Sequence, residues 1–200
     1  MFTRISYDYS GATVLVTGGS NGIGLGIAQA YREAGAKVII TGRQATASDY
    51  DSDIKNMDYR QLDMLDRKAL STLADSLDQL DILINNAGGT QTDEWSSEGF
   101  DQSIDINLAS VFHLSQACKN KLAASEFEGG ASIIGIASMT SYFGLEMTPA
   151  YGAAKAGLVQ LMKTMAMSWG KDGIRSNAVA AGLTRSNLTA YVIDHMGEMM

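Results

Sequence analysis

The chain has almost no cysteine. Only Cys118 carries a thiol among 200 residues, so no internal disulfide can form, and a reducing, cytoplasmic setting is expected. An excess of positive charge is also missing. Fifteen Lys and Arg stand against 22 Asp and Glu, a formal net charge of −7, which argues against nucleic acid or an anionic membrane surface as partner. No apolar run approaches the about 20 residues needed to span a bilayer. Residues 1–10 mix charge, hydroxyls and aromatics with no apolar core, unlike a secretory leader. There is no internal repeat, linker or low-complexity block, and no metal is expected. What remains, 46% hydrophobic and 18% charged, suits one globular domain over residues 1–200 with a sizeable core.

Short apolar runs alternate with longer helical patterns. Strands are expected at 12–16, 37–41, 59–62, 80–84, 132–137 and 174–180, and helices at 23–34, 103–124 and 151–169. Gly35 is placed to stop the first helix. Near-continuous apolar strands alternating with helices indicate a parallel sheet covered on both faces. Residues 43–58 are polar, rich in Ser and Asp, and offer at most a short helix.

Residues 17–24 read T-G-G-S-N-G-I-G, between the first strand and the first helix. That is the context a dinucleotide-binding turn requires. Gly18 permits the tight turn, Gly22 lets the backbone approach a pyrophosphate, and Gly24 allows close helix packing. Ser20, Asn21 and Ile23 belong to the same expected cofactor-binding turn. The helix N-terminus would offer free N–H groups and a partial positive charge to the phosphates. The alternative is a tight turn that holds no ligand. Arg43 follows the second strand, nineteen residues after Gly24, and position 42 is glycine rather than an acid. A carboxylate here would hydrogen-bond a ribose 2′-hydroxyl, whereas arginine suits a 2′-phosphate. NADP(H) is therefore expected over NAD(H), unless Arg43 is simply a solvated loop residue.

Tyr151 and Lys155 sit four apart, thirteen residues or more after Ser138. On a helix that spacing puts both on one face. The ammonium can stabilise a phenolate and pull the tyrosine pKa toward neutrality, so that the phenol can give a proton to a carbonyl or take one from an alcohol. Taken alone, the pair could equally be a solvated surface contact.

Together these residues resemble the short-chain dehydrogenases/reductases of the common, roughly 250-residue type, over nearly the whole chain. Gly18, Gly22 and Gly24 have that family's glycine spacing. Asn85-Asn86-Ala87-Gly88 matches its N-N-A-G signature, which supports the sheet and borders the cofactor ribose. Asp63, with Met64 beside it, matches the residue that meets the adenine. Asn107, Ser138, Tyr151 and Lys155 match the four catalytic positions. The resemblance implies a doubly wound sheet of order 3-2-1-4-5-6 and hydride transfer between NADP(H) or NAD(H) and a small carbonyl or secondary alcohol. In it Tyr151 is the general acid/base, Lys155 lowers its pKa and bonds the nicotinamide ribose, Ser138 holds the substrate oxygen, and Asn107 positions a relay water. Gly182 and Ser186 fall where family members contact the nicotinamide. A homodimer or homotetramer is implied, the dimer pairing the two long helices.

Two departures accompany the resemblance. Ala181-Gly182 replaces the usual Pro-Gly after the sixth strand. The sequence stops at Met200, so a C-terminal helix and a seventh strand are expected to be missing, leaving the sixth strand as a bare edge. Specificity is expected in loops 89–95, 139–147 and 183–200. The middle loop carries Tyr142, Phe143, Leu145 and Met147, an apolar lining, with Glu146 among them. The pair Ser138-Met139 is similar to that of sugar-acid and 3-oxoacyl reductases. His113, in an apolar helical stretch, reads as a satisfied or interfacial histidine rather than a catalytic one, and Cys118 as a small packing residue. The rival readings are a cofactor-binding sensor or scaffold without turnover, and an inactive fragment of a reductase.

Overall fold

The computed structural model describes residues 6–184. Strands β1 (Thr13–Val16), β2 (Lys37–Gly42), β3 (Asp58–Gln61), β4 (Ile82–Asn85), β5 (Ala131–Ser138) and β6 (Ile174–Ala181) alternate with helices α1 (Gly22–Glu33), α2 (Arg67–Asp75), α3 (Ser97–Ile104), α4 (Ser110–Ala123) and α5 (Pro149–Trp169). The strands form one parallel sheet in the order β3-β2-β1-β4-β5-β6, the order that the resemblance implied.

The two-residue period of a strand sends alternate side chains to opposite faces. Leu15, Ile39, Leu83 and Ile133 enter a core shared with Leu70 and Leu73 of α2, Leu114 and Leu122 of α4, and Leu158 and Met162 of α5. Val14, Val16, Val38, Ile40, Ile82 and Ile84 enter the opposite core, with Ala28 of α1. Both faces are therefore apolar, which is why these strands read as continuous hydrophobic runs. β6 is less enclosed: Val179 is 53% exposed, and among the described residues the strand pairs only with β5.

Two features differ from the sequence expectation. α2 was not anticipated. Its N-terminus is capped by Asp66, whose carboxylate accepts the N–H groups of Lys68 and Ala69 at 2.9 and 3.0 Å. Its Leu70, Leu73 and Ala74 are buried. The helix expected at 103–124 is not a uniform α-helix. α3 begins earlier, at Ser97, and passes through a π-turn at Asp105–Ala109 before α4. Such wide turns insert a residue into the helical ladder and are frequent at functional sites. The 43–58 stretch contains only a single 3₁₀ turn, Ala47–Asp49, as its composition implied.

Candidate active site

In a parallel sheet all carboxyl ends lie at one edge, and the ends of different strands can furnish one site. The residues singled out above are gathered there. The glycine-rich turn follows β1, Arg43 follows β2, Asp63 follows β3, Asn86 to Gly88 follow β4, and Ser138 closes β5.

The turn is shaped by its glycines. Gly18 and Gly22 have φ of +63° and +54°, a region that side chains rarely adopt. A Cβ on Gly24 would run into the carbonyl oxygen of Gly18 and Nδ2 of Asn86, so Gly24 closes the turn as well as seating the helix. α1 then starts without a side-chain cap from Asn21 and without an acid in its first turn. Its N–H groups thus have no internal anion to satisfy them, an environment that fits a phosphate. Ser20 is buried and Ile23 packs against the core on the α1 side.

Thr17 and Asn86 lock this turn to β4, a link the sequence did not reveal. The Thr17 hydroxyl accepts the N–H groups of Asn86 and Ala87, both at 3.0 Å, and Nδ2 of Asn86 donates to the carbonyls of Thr17 and Gly18 at 2.9 and 3.2 Å. At the end of β2, a Cβ on Gly42 would collide with the Tyr50 hydroxyl and lie 3.0 Å from Ser20 Oγ. Tyr50 is itself held by the Gln44 N–H at 3.1 Å. No carboxylate could stand at position 42 without moving Tyr50. The Arg43 side chain is exposed and makes no hydrogen bond or ion pair among the described residues.

Asp63 is exposed, with one oxygen accepting the Leu65 N–H at 2.9 Å. The side chain of Met64 points into the core, and its backbone stands next to Asp63 at the exit of β3. Gly182 follows β6 in open space and without a positive φ, so nothing there requires glycine. Ser186 lies outside the described residues.

The four proposed catalytic side chains converge. Tyr151 and Lys155 lie on α5, and the Lys155 ammonium is 5.5 Å from the Tyr151 ring centroid. Lys155 is 3% exposed and donates to the Ile136 carbonyl at 2.7 Å. Burial pulls its pKa down to about 8, because a low-dielectric setting disfavours the charged form. Ser138 is near enough to the Tyr151 phenol to lower its pKa, and its Oγ accepts the Thr140 N–H at 3.2 Å. Asn107 is fully buried in the π-turn. Its Nδ2 donates to the carbonyls of Gly89 and Ser103, both at 2.9 Å, and its Oδ1 accepts the Gly89 N–H at 3.0 Å. A Cβ on Gly88 would strike Asn107 Oδ1 and come within 3.4 Å of Lys155 Nζ. Gly88 is thus the gap across which Asn107 and Lys155 approach each other.

The tyrosine's pKa departs from expectation in direction. It is raised: burial is the largest cause, the Ser138 hydrogen bond opposes it, and the negative charge of Glu94 adds to it. Lys155 does not overcome these. Of the specificity loops, two are joined: Trp95 Nε1–H donates to the Glu146 carbonyl at 2.9 Å. Tyr142, Phe143, Leu145 and Met147 stand 51–81% exposed on the middle loop, an apolar rim beside Ser138.

Comparison with known proteins agrees with this geometry. A family model described as short chain dehydrogenase matches residues 12–197. The chain is 34% identical to a Rickettsia bellii 3-oxoacyl-(acyl-carrier-protein) reductase, aligned over 96% of this chain and 80% of the relative. It is also 34% identical to a Bacillus subtilis 2-dehydro-3-deoxy-D-gluconate 5-dehydrogenase, over 94% and 77%. Among solved structures, a Pseudomonas aeruginosa RhlG/NADP active-site complex superposes with a TM-score of 0.83 at 31% identity, covering 96% of this chain and 80% of that one.

Proposed function

This chain belongs to the short-chain dehydrogenase family, whose members are NAD(P)-dependent oxidoreductases, and on that premise we propose that Tyr151 exchanges a proton with the substrate oxygen. The observation that carries this is the buried Lys155 ammonium over the Tyr151 ring, with Ser138 near enough to the phenol to lower its pKa. A carbonyl entering there would accept hydrogen bonds from Ser138 Oγ and Tyr151 Oη, and Tyr151 would pass its proton to the developing alkoxide. The phenolate left behind is stabilised by Lys155. One lone pair of Asn107 Oδ1 remains beyond its bond to Gly89, on the side of Gly88, and there Asn107 would order the water that returns a proton to Lys155. Alcohol oxidation runs the same steps backward.

The glycine cradle, the uncapped start of α1 and the strand ends after β3 and β4 fit a dinucleotide. Gly18, Ser20, Asn21, Gly22, Ile23 and Gly24 would hold its phosphates. Asp63 and the backbone of Met64 would meet the adenine, and Asn86, Ala87, Gly88 and Lys155 the nicotinamide ribose. Bound in that cradle, the nicotinamide supplies or accepts the hydride, and the chain supplies orientation and electrostatics.

The preference among dinucleotides follows from Gly42 and Arg43. With Tyr50 filling the space an acid would need, the free guanidinium of Arg43 favours a 2′-phosphate. A charge-assisted contact is worth roughly 1.5–3 kcal/mol, about tenfold or more in affinity. NADPH should therefore bind more tightly than NADH, and Arg43→Asp should reverse the order. Equal affinities in a fluorescence titration of the wild type would refute the assignment.

We also propose that two copies pair through α4 and α5, at a cytoplasmic location consistent with the lone, buried Cys118. Phe112 and Met167 are 43% and 87% exposed on these helices, which supports an isologous contact of this face with itself. Light scattering at micromolar concentration should give at least a dimer, and a monodisperse monomer would contradict it. No described helix is long and apolar enough to cross a membrane.

A further inference from the structure

Glu94 is a charged residue that the proposed chemistry does not use, yet it is only 2% exposed. It sits in the loop between β4 and α3, and its carboxylate joins three elements. Oε1 accepts the Ser103 hydroxyl of α3 at 2.9 Å and the Gln91 N–H at 3.1 Å. Oε2 accepts the backbone N–H of Tyr151 at 2.9 Å. Three donors and no acceptor is the set an ionised carboxylate satisfies. Ser103 in turn meets Asn107, through its carbonyl at 2.9 Å and its hydroxyl at 3.3 Å.

The start of α5 shows why such a residue is needed. Thr148 at the N-cap makes no side-chain bond to the helix, and the first turn holds no acid. Pro149 has no N–H to offer, and Gly152 is the first residue to donate back to Thr148, at 2.9 Å. Tyr151 lies before it, among the orphan donors that every helix start leaves. A residue 57 positions away in sequence supplies its acceptor.

We propose that Glu94 is a positioning residue of the active site, one carboxylate that clamps the Tyr151 backbone and, through Ser103, sets the Asn107 side chain. It touches neither substrate nor cofactor in this role. It fixes how far α5 advances toward Ser138 and couples that position to the π-turn. Its charge has a second consequence. The groups that act on the Tyr151 phenol are Lys155 from its own helix, Ser138 from β5 and, from its place at the Tyr151 backbone N–H, Glu94. Of these Glu94 alone is anionic, so it opposes phenolate formation and adds to the larger effect of burial.

The proposal rests on Tyr151 as the proton-transfer group, and its test does not need the substrate. In protein labelled with ¹³C at the tyrosine ζ carbon, the resonance missing from Tyr151→Phe identifies Tyr151. Glu94→Gln keeps the side-chain length and removes the charge. Its Tyr151 titration midpoint should fall, with NADPH affinity unchanged. A folded Glu94→Gln protein with the wild-type midpoint overturns the proposal, since a purely structural glutamate would lower thermal stability without moving the titration. Should that variant not fold, the wild type decides. The Tyr151 amide has no acceptor within its helix, so its protection from hydrogen exchange reports the Glu94 contact directly, and exchange at the open-chain rate overturns the clamp. Turnover surviving in Tyr151→Phe would instead sink the assignment of Tyr151 and leave the clamp measurements standing.

Discussion

Replacing Tyr151 with phenylalanine should lower kcat by roughly 10²–10⁴-fold, the range that a positioned general acid or base contributes, while leaving NADPH affinity almost unchanged. The substitution removes one oxygen. That oxygen makes no hydrogen bond to the glycine turn among the described residues and acts near Ser138 at the end of β5, so the dinucleotide cradle loses nothing. The backbone N–H of Tyr151 keeps its bond to Glu94 whichever ring is present, and the start of α5 should hold its place. A variant that keeps near-wild-type kcat would show that the proton travels by another route. The raised pKa of Tyr151 also sets a pH expectation. With Lys155 alone the phenol holds its proton, which suits carbonyl reduction. Alcohol oxidation needs the phenolate and should improve as pH rises, until a bound positive nicotinamide brings the phenol down.

Lys155→Met should do three things at once. Turnover should fall as it does for Tyr151→Phe, because the phenolate loses its cation. Dinucleotide affinity should fall too, because the same amine is proposed to bond the nicotinamide ribose. Stability at neutral pH should rise. The folded protein holds Lys155 with a pKa of about 8 against an ordinary value of 10.5. Between those pH values the unfolded chain binds more protons than the folded one, so wild-type stability climbs with pH across that window. Below pH 8 the full cost of the buried charge, roughly 3 kcal/mol at the conversion of 1.36 kcal/mol per pKa unit, is carried by the wild type and absent from the methionine variant. The lost bond to the Ile136 carbonyl offsets part of this gain. Denaturant midpoints measured from pH 7 to 10.5 should show the variant ahead at pH 7 and the gap closing as pH rises. A gap that widens with pH would mean Lys155 is not held with a depressed pKa.

A site that costs stability in this way is visible in sequence only through its functional pattern. The i,i+4 spacing of Tyr151 and Lys155 was legible because helix geometry alone puts both on one face. The glycine turn was legible because Gly18 and Gly22 occupy backbone regions closed to other residues. β1, β2, β4 and β5 were legible because burial on both faces writes a nearly unbroken apolar run. α2 was missed although Asp66, Leu70, Leu73 and Ala74 carry a cap and an apolar stripe. At nine residues it is too short and polar to stand out from its flanking loops. The π-turn around Asn107 has no residue signature, since it arises where α3 and α4 meet at different registers. Glu94 could not be found at all from spacing. Its partners lie three, nine and 57 residues away, and only the folded chain brings them together. Asp63 faces outward while the side chain of Met64 turns into the core, a division that the sequence alone does not show.

The central claim is that this chain performs hydride transfer rather than merely holding a dinucleotide. It is tested most directly by following NADPH absorbance at 340 nm with the wild-type protein and a panel of 3-oxoacyl thioesters, keto sugar acids and simple apolar ketones. The account predicts stoichiometric NADPH consumption with at least one member of the panel. Tight NADPH binding with no consumption across the whole panel would contradict it and favour a cofactor-binding protein without turnover.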